Sequence, residues 1–464
     1  MSTTVTITRI VYATATSKED FDALARHAKA VGWLRKDLWH RFGGKAIMQF
    51  PFKDIRCKTT RLYENLSEMG FGKIDGTVRN ESIKDILNDI KACKAAAIEM
   101  MKGRISARLV SEGIPEKKRK TELSKRMRLI RTGSYEKDPF LHRTVRNCFK
   151  HGQGHADNQF VVRSDKHIEE IRMINGRNVL VIKFRLCGKY LELHCNSNGT
   201  NVNLANTNLR IILDHDRVCV HYAATKTCSR PCGTKEAGID KGYTEAVVDS
   251  NKKHYGTNFG KILTEYFDRN DRIMRNRNKL FALAQKHEAN GNHEKAQRIR
   301  ANNLGKIKIE GMRARFRNRI KDMAFKTAHA LADEYGHIVS EDLTWGMSPN
   351  KWRSKGKTYN RRMSCWAKGS LTGALKTVFL QRGVYHDEVN AAYTSQIDSR
   401  TKRLEGTRKG DRFTGVDGVV LQADENAALN ILDRFYDTQI SRYATKEEVK
   451  RILLGRLSGA TEHQ

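Results

Sequence analysis

Residues 237–256, AGIDKGYTEAVVDSNKKHYG, decide how the C-terminal half of this chain is read. Their apolar runs are short and are punctuated by Gly, Ser and Asn, so they spell strand, tight turn, strand, turn, strand. Asp240 follows the apolar run that begins at Ala237 and so ends the first strand. An acid at a strand end stands at a sheet edge, where the sites of α/β sheets gather. Taken alone it would be a cap or an ion-pair partner.

Two other acids occupy comparable places. In GHIVSEDLTW (336–345) Glu341 ends a short apolar strand. In QADENAALNIL (422–432) Asp424 opens an amphipathic helix, where the helix dipole favours an anion. Three carboxylates drawn into one low-dielectric cleft would repel one another, and divalent cations relieve that repulsion. Mg²⁺ prefers such hard oxygen ligands. Two ions about 4 Å apart can activate a water and stabilise the leaving oxygen of a phosphodiester. Asp342 and Glu425 adjoin two of these acids, but strand and helix geometry turns them elsewhere, so supporting roles are expected.

The 464 residues carry 86 Lys and Arg against 52 Asp and Glu, a formal net charge of +34. Such a field draws polyanions, with nucleic acid the leading partner and an anionic membrane second. With 39% hydrophobic residues and five prolines the chain reads as globular, holding about two to four domains. No apolar run of about 18 residues and no signal peptide is seen, which points to a cytoplasmic protein. Nine scattered cysteines argue against a disulfide framework. Cys228 with Cys232, and Cys148 with His151 and His155, fall short of four convergent ligands, so reduced thiols and loop histidines are expected.

The N-terminal TVTITRIVYAT (4–14) alternates like a strand, and from Ser17 the period turns helical, with a second helical block from about Glu81 to Leu109. PEKKRKTELSKRMRLIR (115–131) holds eight basic and two acidic residues, and Lys117, Lys118, Arg119 and Lys120 are expected to track phosphates. Period two returns between about Asn158 and Ala224, an antiparallel β module. A long polar helical region from about Gly260 to Tyr335 reads as an antiparallel pair around ANGN. Within it, RARFRNRIK (313–321) lines up Arg313, Arg315, Arg317 and Arg319, suited to a duplex backbone. WRSKGKTYNRRMSCWAK (352–368) has six basic residues and no acidic one. There Trp352, Arg353, Arg361, Arg362 and Trp366 are expected to guide a single strand, the rings stacking on unpaired bases.

GIDKG, VSEDL and ADENAALNIL follow one another in the order of the RuvC nuclease core. They resemble in particular TnpB proteins and the compact type V CRISPR effectors, and VNAAYTSQ (389–396) is similar to that family's NPAYTSQ segment. The resemblance is specific over about Gly238 to Asp433 and weaker upstream. It implies an α/β multidomain chain: an RNase H-like (RuvC) nuclease domain preceded by an antiparallel β module with a helical insertion. Residues 1–16 and 151–235 would form the wedge or oligonucleotide-binding-like β module, and 17–150 a helical recognition domain. Residues 236–464 would form the nuclease domain, with a helical insertion at 258–335 and a ribbon at 394–422. The resemblance further implies that Asp240, Glu341 and Asp424 are the catalytic acids, holding two Mg²⁺ ions for which Mn²⁺ can substitute. A guide RNA and target double-stranded DNA would be the partners, one site cutting both strands in succession. Asn426 matches the family's helix and is expected to brace the site through its amide. Two alternatives stand beside this reading: an RNA-guided DNA binder with little or no cleavage, and a guide-free nuclease or transposase of the same fold.

One departure is plain. Family members commonly carry a zinc ribbon with two CxxC pairs before the last acid. Here Asp398, Thr401, Thr414 and Asp417 stand in those places, and only the turn residue Gly418 remains. Carboxylates and hydroxyls are poor partners for Zn²⁺, so a metal-free ribbon is expected.

Overall fold

The computed structural model describes residues 4–44, 74–149, 156–197, 202–214, 217–228, 230–305, 307–343 and 368–458. The chain divides into two compact units, Val5–Lys226 and Thr227–Gln464, the latter joined by Met1–Thr4.

In the first unit seven strands form one sheet: β1 (Thr4–Ala15), β2 (Gln159–Val162), β3 (His167–Ile174), β4 (Arg177–Leu186), β5 (Lys189–Cys195), β6 (Leu209–Asp214) and β7 (Arg217–Thr227). Their order is β2-β6-β7-β1-β5-β4-β3. Alternating side chains give the sheet one buried face, where Phe160, Ile182, Leu193 and Ile211 meet Leu24 and Ala28 of helix α1 (Lys18–Phe42). That helix starts where Ser17 accepts the amide of Asp20. The next, α2 (Gly76–Ser111), begins earlier than the apolar pattern suggests because the Asp75 carboxylate caps Thr77 and Val78. Helices α3 (Glu116–Thr132) and α4 (Pro139–Cys148) close a second small core on α2 through Met101, Ile130 and Leu141.

The second unit is built on five strands: β8 (Lys235–Asp240), β9 (Val247–Asp249), β10 (His254–Tyr255), β11 (Tyr335–Asp342) and β12 (Tyr385–Asn390). Their order is β10-β9-β8-β11-β12; β8, β11 and β12 run parallel, while β9 and β10 pair antiparallel. Helices α5 (Phe259–Ala289), α6 (His293–Asn303) and α7 (Ile307–Glu334) connect β10 to β11, and α8 (Lys368–Arg382) precedes β12. The expected helix pair is therefore three helices. One break falls at Gly291, whose φ of +77° suits a residue without Cβ. The other is held by Arg277, which donates to the carbonyls of Leu304 (2.6 Å) and Gly305 (2.9 Å).

Period two sorts this sheet's side chains onto two faces. Ala237, Ile239 and Ile338 share a core with residues of α5, α7 and α8. Val339 and Val389 meet Ile431 of helix α9 (Ala423–Tyr436). Gly238 belongs to this second face, and a Cβ there would stand 2.3 Å from the Ala428 carbonyl oxygen. The helix thus lies on the β8 backbone itself. Between β12 and α9 runs a three-stranded meander, β13 (Thr407–Lys409), β14 (Arg412–Thr414) and β15 (Val420–Gln422); helix α10 (Lys446–Ser458) follows.

Candidate active site

Asp240 is two residues beyond Gly238 on β8, and Glu341 two beyond Val339 on β11, so both carboxylates face α9. The ladder pairs Ser340 with Ile239, which sets Glu341 beside Asp240. Asp424 lies in the first turn of α9, where the Gln422 side chain caps the amide of Glu425 at 2.6 Å. Each of the three acids is at most 9% exposed. The three sequence-predicted acids are thus buried and close enough for each other's charge to be felt.

Their electrostatics follow from that placement. Burial first, then the charges of Glu341 and Asp424, push Asp240 well above the usual carboxylate range, against the pull of Arg408 and Lys241. Burial also raises Glu341, against Lys241, a hydrogen bond with Asp240, and Arg408. Two neighbouring carboxylates raised together disfavour carrying both negative charges at once. Desolvation in turn lowers Lys241, while the surrounding carboxylates favour its charge. Its ammonium donates to the Glu341 carbonyl (2.7 Å) and to Ser340 Oγ (3.4 Å). Ser340 Oγ then lies 2.9 Å from His386 Nε2. Burial pushes His386 down to about 4, so the ring that meets Ser340 Oγ is neutral at pH 7.

The flanking acids are engaged elsewhere. Asp342 faces the opposite side of β11 and binds Arg442 (2.7 Å), which also holds Glu388 at 2.6 Å. Glu425 reaches Nε2 of His254 at 3.3 Å. Asn426 is bonded to the chain after the YTSQ segment: its Oδ1 accepts the Ser399 amide and its Nδ2 donates to the Ile397 carbonyl, both at 2.8 Å. One turn on, Asn430 donates to the carbonyls of Thr394 (2.9 Å) and Ile397 (2.7 Å). Two helix amides thereby clasp the backbone of the YTSQ segment.

Two arginines of the ribbon have partners that spacing alone did not reveal. Arg400 sits between the two acids that stand at expected cysteine positions. It donates to Asp398 through Nη2 (2.6 Å) and Nε (3.1 Å), and to Asp417 through Nη1 (2.8 Å) and Nη2 (2.9 Å). A planar guanidinium forked onto two carboxylates ties the ends of the ribbon together. Arg408 on β13 donates through Nη2 to Asp424 Oδ1 at 2.6 Å. Hard oxygen donors, with mutual repulsion that Arg408 and Lys241 offset only in part, are the chemistry a divalent cation would answer. Among the described residues, however, no group of three His, Cys, Asp or Glu side chains stands ready as a metal cage.

The basic surfaces are less uniform than their sequence. Lys117, Lys118 and Lys120 are exposed on α3, but Arg119 is half-buried and donates to the Ile114 carbonyl at 2.8 Å, closing the turn before its helix. Arg313, Arg315, Arg317 and Arg319 are all exposed on α7. At about 100° per residue, Arg313 and Arg317 lie on one side and Arg315 and Arg319 nearly opposite. Phe316 packs between these rows, stacked 3.7 Å from the Tyr266 ring. Trp352, Arg353, Arg361, Arg362 and Trp366 lie outside the described residues, as do His151 and His155. Cys228 and Cys232 donate to separate carbonyls, those of Arg230 and Gly383. No described helix is long and apolar enough to cross a membrane.

No protein-family model and no curated protein matches this sequence. Among solved structures, the chain is similar to that in a Cas12f1–sgRNA–target DNA complex, at 13% identity and a TM-score of 0.42, covering 95% of this chain and 100% of that one. It is similar to the mini-RNA-guided endonuclease CRISPR-Cas_phi3 at 12% identity and a TM-score of 0.44, covering 95% and 94%. CasPhi-2 (Cas12j) bound to crRNA and phosphorothioate-DNA gives 11% identity and a TM-score of 0.44, covering 94% and 92%.

Proposed function

We propose that this chain is an RNA-guided DNA endonuclease with a single Mg²⁺-dependent site made by Asp240, Glu341 and Asp424. The observation that carries the reading is the meeting of three buried carboxylates from two parallel strands and one helix. The mixed five-stranded sheet with α9 across one face supports reading this unit as an RNase H-like (RuvC) domain. Bound there, a divalent cation would offset the carboxylate charge and activate water. The chain's own residues do the rest. Asp240, Glu341 and Asp424 would hold the cation, and Lys241 holds the Glu341 backbone through its carbonyl. The exposed cations of α3 and α7 attract the phosphate backbones of guide RNA and target DNA, and pairing between the two strands supplies sequence choice.

The decisive experiment incubates the guided complex with plasmid target and Mg²⁺. Asp240→Ala is expected to abolish cleavage and leave RNA binding nearly unchanged, whereas undiminished cutting by that variant would refute the assignment. Arg408 against Asp424 favours one second reading, a guided binder with feeble cleavage. For that protein the same reaction would give a stable gel shift and no products.

A further inference from the structure

The β13–β14 hairpin carries Arg408 to the acid pocket along a fixed path. The tight turn pairs Arg408 with Phe413, which is fully buried, and Gly410 takes a φ of +62°. Arg408 Nε donates to the Gly410 carbonyl at 3.2 Å, so its own turn aims the guanidinium. The next residue, Asp411, accepts the Ala423 amide at 2.8 Å, which docks the turn on the start of α9. The remaining reach ends on Asp424 Oδ1. Lys241, the other cation near these acids, spends its donors on the Glu341 carbonyl and Ser340. Arg408 is therefore the cation that compensates the Asp424 carboxylate directly.

We propose that Arg408 is a positioning residue that occupies Asp424 in the cation-free chain and must leave it before a divalent cation is bound. This rests on the endonuclease reading of the same pocket. Guanidinium and metal ion compete for one carboxylate, so Arg408 weakens metal binding by the free protein. A phosphodiester is the natural competitor for the guanidinium, since it offers the same forked pair of oxygens. Nucleic acid drawing Arg408 away frees Asp424, and substrate and cation then reinforce each other's binding.

The test measures Mn²⁺ binding to the full-length, guide-free protein by the electron paramagnetic resonance of free Mn²⁺. Arg408→Gln is expected to bind Mn²⁺ about tenfold more tightly than wild type, the scale of a charge-assisted hydrogen bond. Arg408→Lys, which keeps the charge and loses the fork, should fall between. A short single-stranded DNA should tighten Mn²⁺ binding by wild type and leave Arg408→Gln unmoved. Equal affinity of all three proteins, with Asp424→Asn clearly weaker, overturns the role of Arg408 and leaves the metal site standing. Arg408→Gln that binds no better than Asp424→Asn overturns the metal reading itself, and the Arg408 proposal falls with it.

Discussion

Replacing Arg400 by Ala should open the ribbon without disturbing the sheet behind it. The side chain of Asp398 is 2% exposed and that of Asp417 is 49% exposed, so the two ion pairs are unequal. Losing the exposed pair matters little, because solvent screens it. Stranding the buried Asp398 carboxylate costs more, about 2–3 kcal/mol, because its hydrogen bonds to Arg400 hold it below the usual carboxylate range. A total near 3 kcal/mol raises the local opening constant on the order of 100-fold. Hydrogen exchange reads this at amides the closed ribbon protects: Lys402, bonded to the Asp398 carbonyl, Gly415, bonded to Val419, and Gly418, bonded to Gly415. Those amides should exchange about 100-fold faster in Arg400→Ala while the β11 amides keep their rates. Molar salt should reproduce part of the effect in wild type, and chelators none of it. Unchanged exchange at these three positions would show that the fork holds nothing, and the reasoning would fail.

Gly238→Ala must push α9 off β8, since the new Cβ would meet the Ala428 carbonyl at 2.3 Å. It should lower stability by about 1–3 kcal/mol and cut cleavage more steeply than Val339→Ala, judged by denaturant melts beside plasmid assays. Burial of His386 gives a pH dependence whose sign is fixed. Its folded pKa of about 4 lies below the ordinary 6.5, so its contribution is complete above pH 6.5 and is lost as pH falls toward 4. Stability should decline by at most about 1.4 kcal/mol per pH unit across that window. His386→Asn should flatten the decline in urea melts taken from pH 7 to pH 4.5; an unaltered slope would assign it to other groups.

Much of the pocket was legible because its acids sit at the ends of strongly patterned segments. The apolar runs before Asp240 and Glu341 fix which strand ends they occupy, and period two fixes the face. Asn426 was readable for a related reason, one turn into a well-marked helix. Arg400, Arg408 and Lys241 were not readable, because their partners are set by how loops cross in space. Nothing in GTRKGDRFTG (406–415) tells that Arg408 reaches a carboxylate sixteen positions later. The stripe of Arg313 to Arg319 shows the opposite failure: even spacing in sequence looked like one surface, and a period of 3.6 residues split it in two.

The clasp of Asn426 and Asn430 on the YTSQ segment bears on which changes this region can absorb. The asparagines contribute side chains, whereas Thr394 and Ile397 contribute main-chain oxygens that nearly any residue would supply. Yet the bonded positions are themselves packed, Thr394 at 2% and Ile397 at 6% exposure, so drift should stall there as well as at the two amides. A search for distant kin, or a redesign of this loop, gains most by holding the two asparagines fixed together with the buried character of positions 394 and 397.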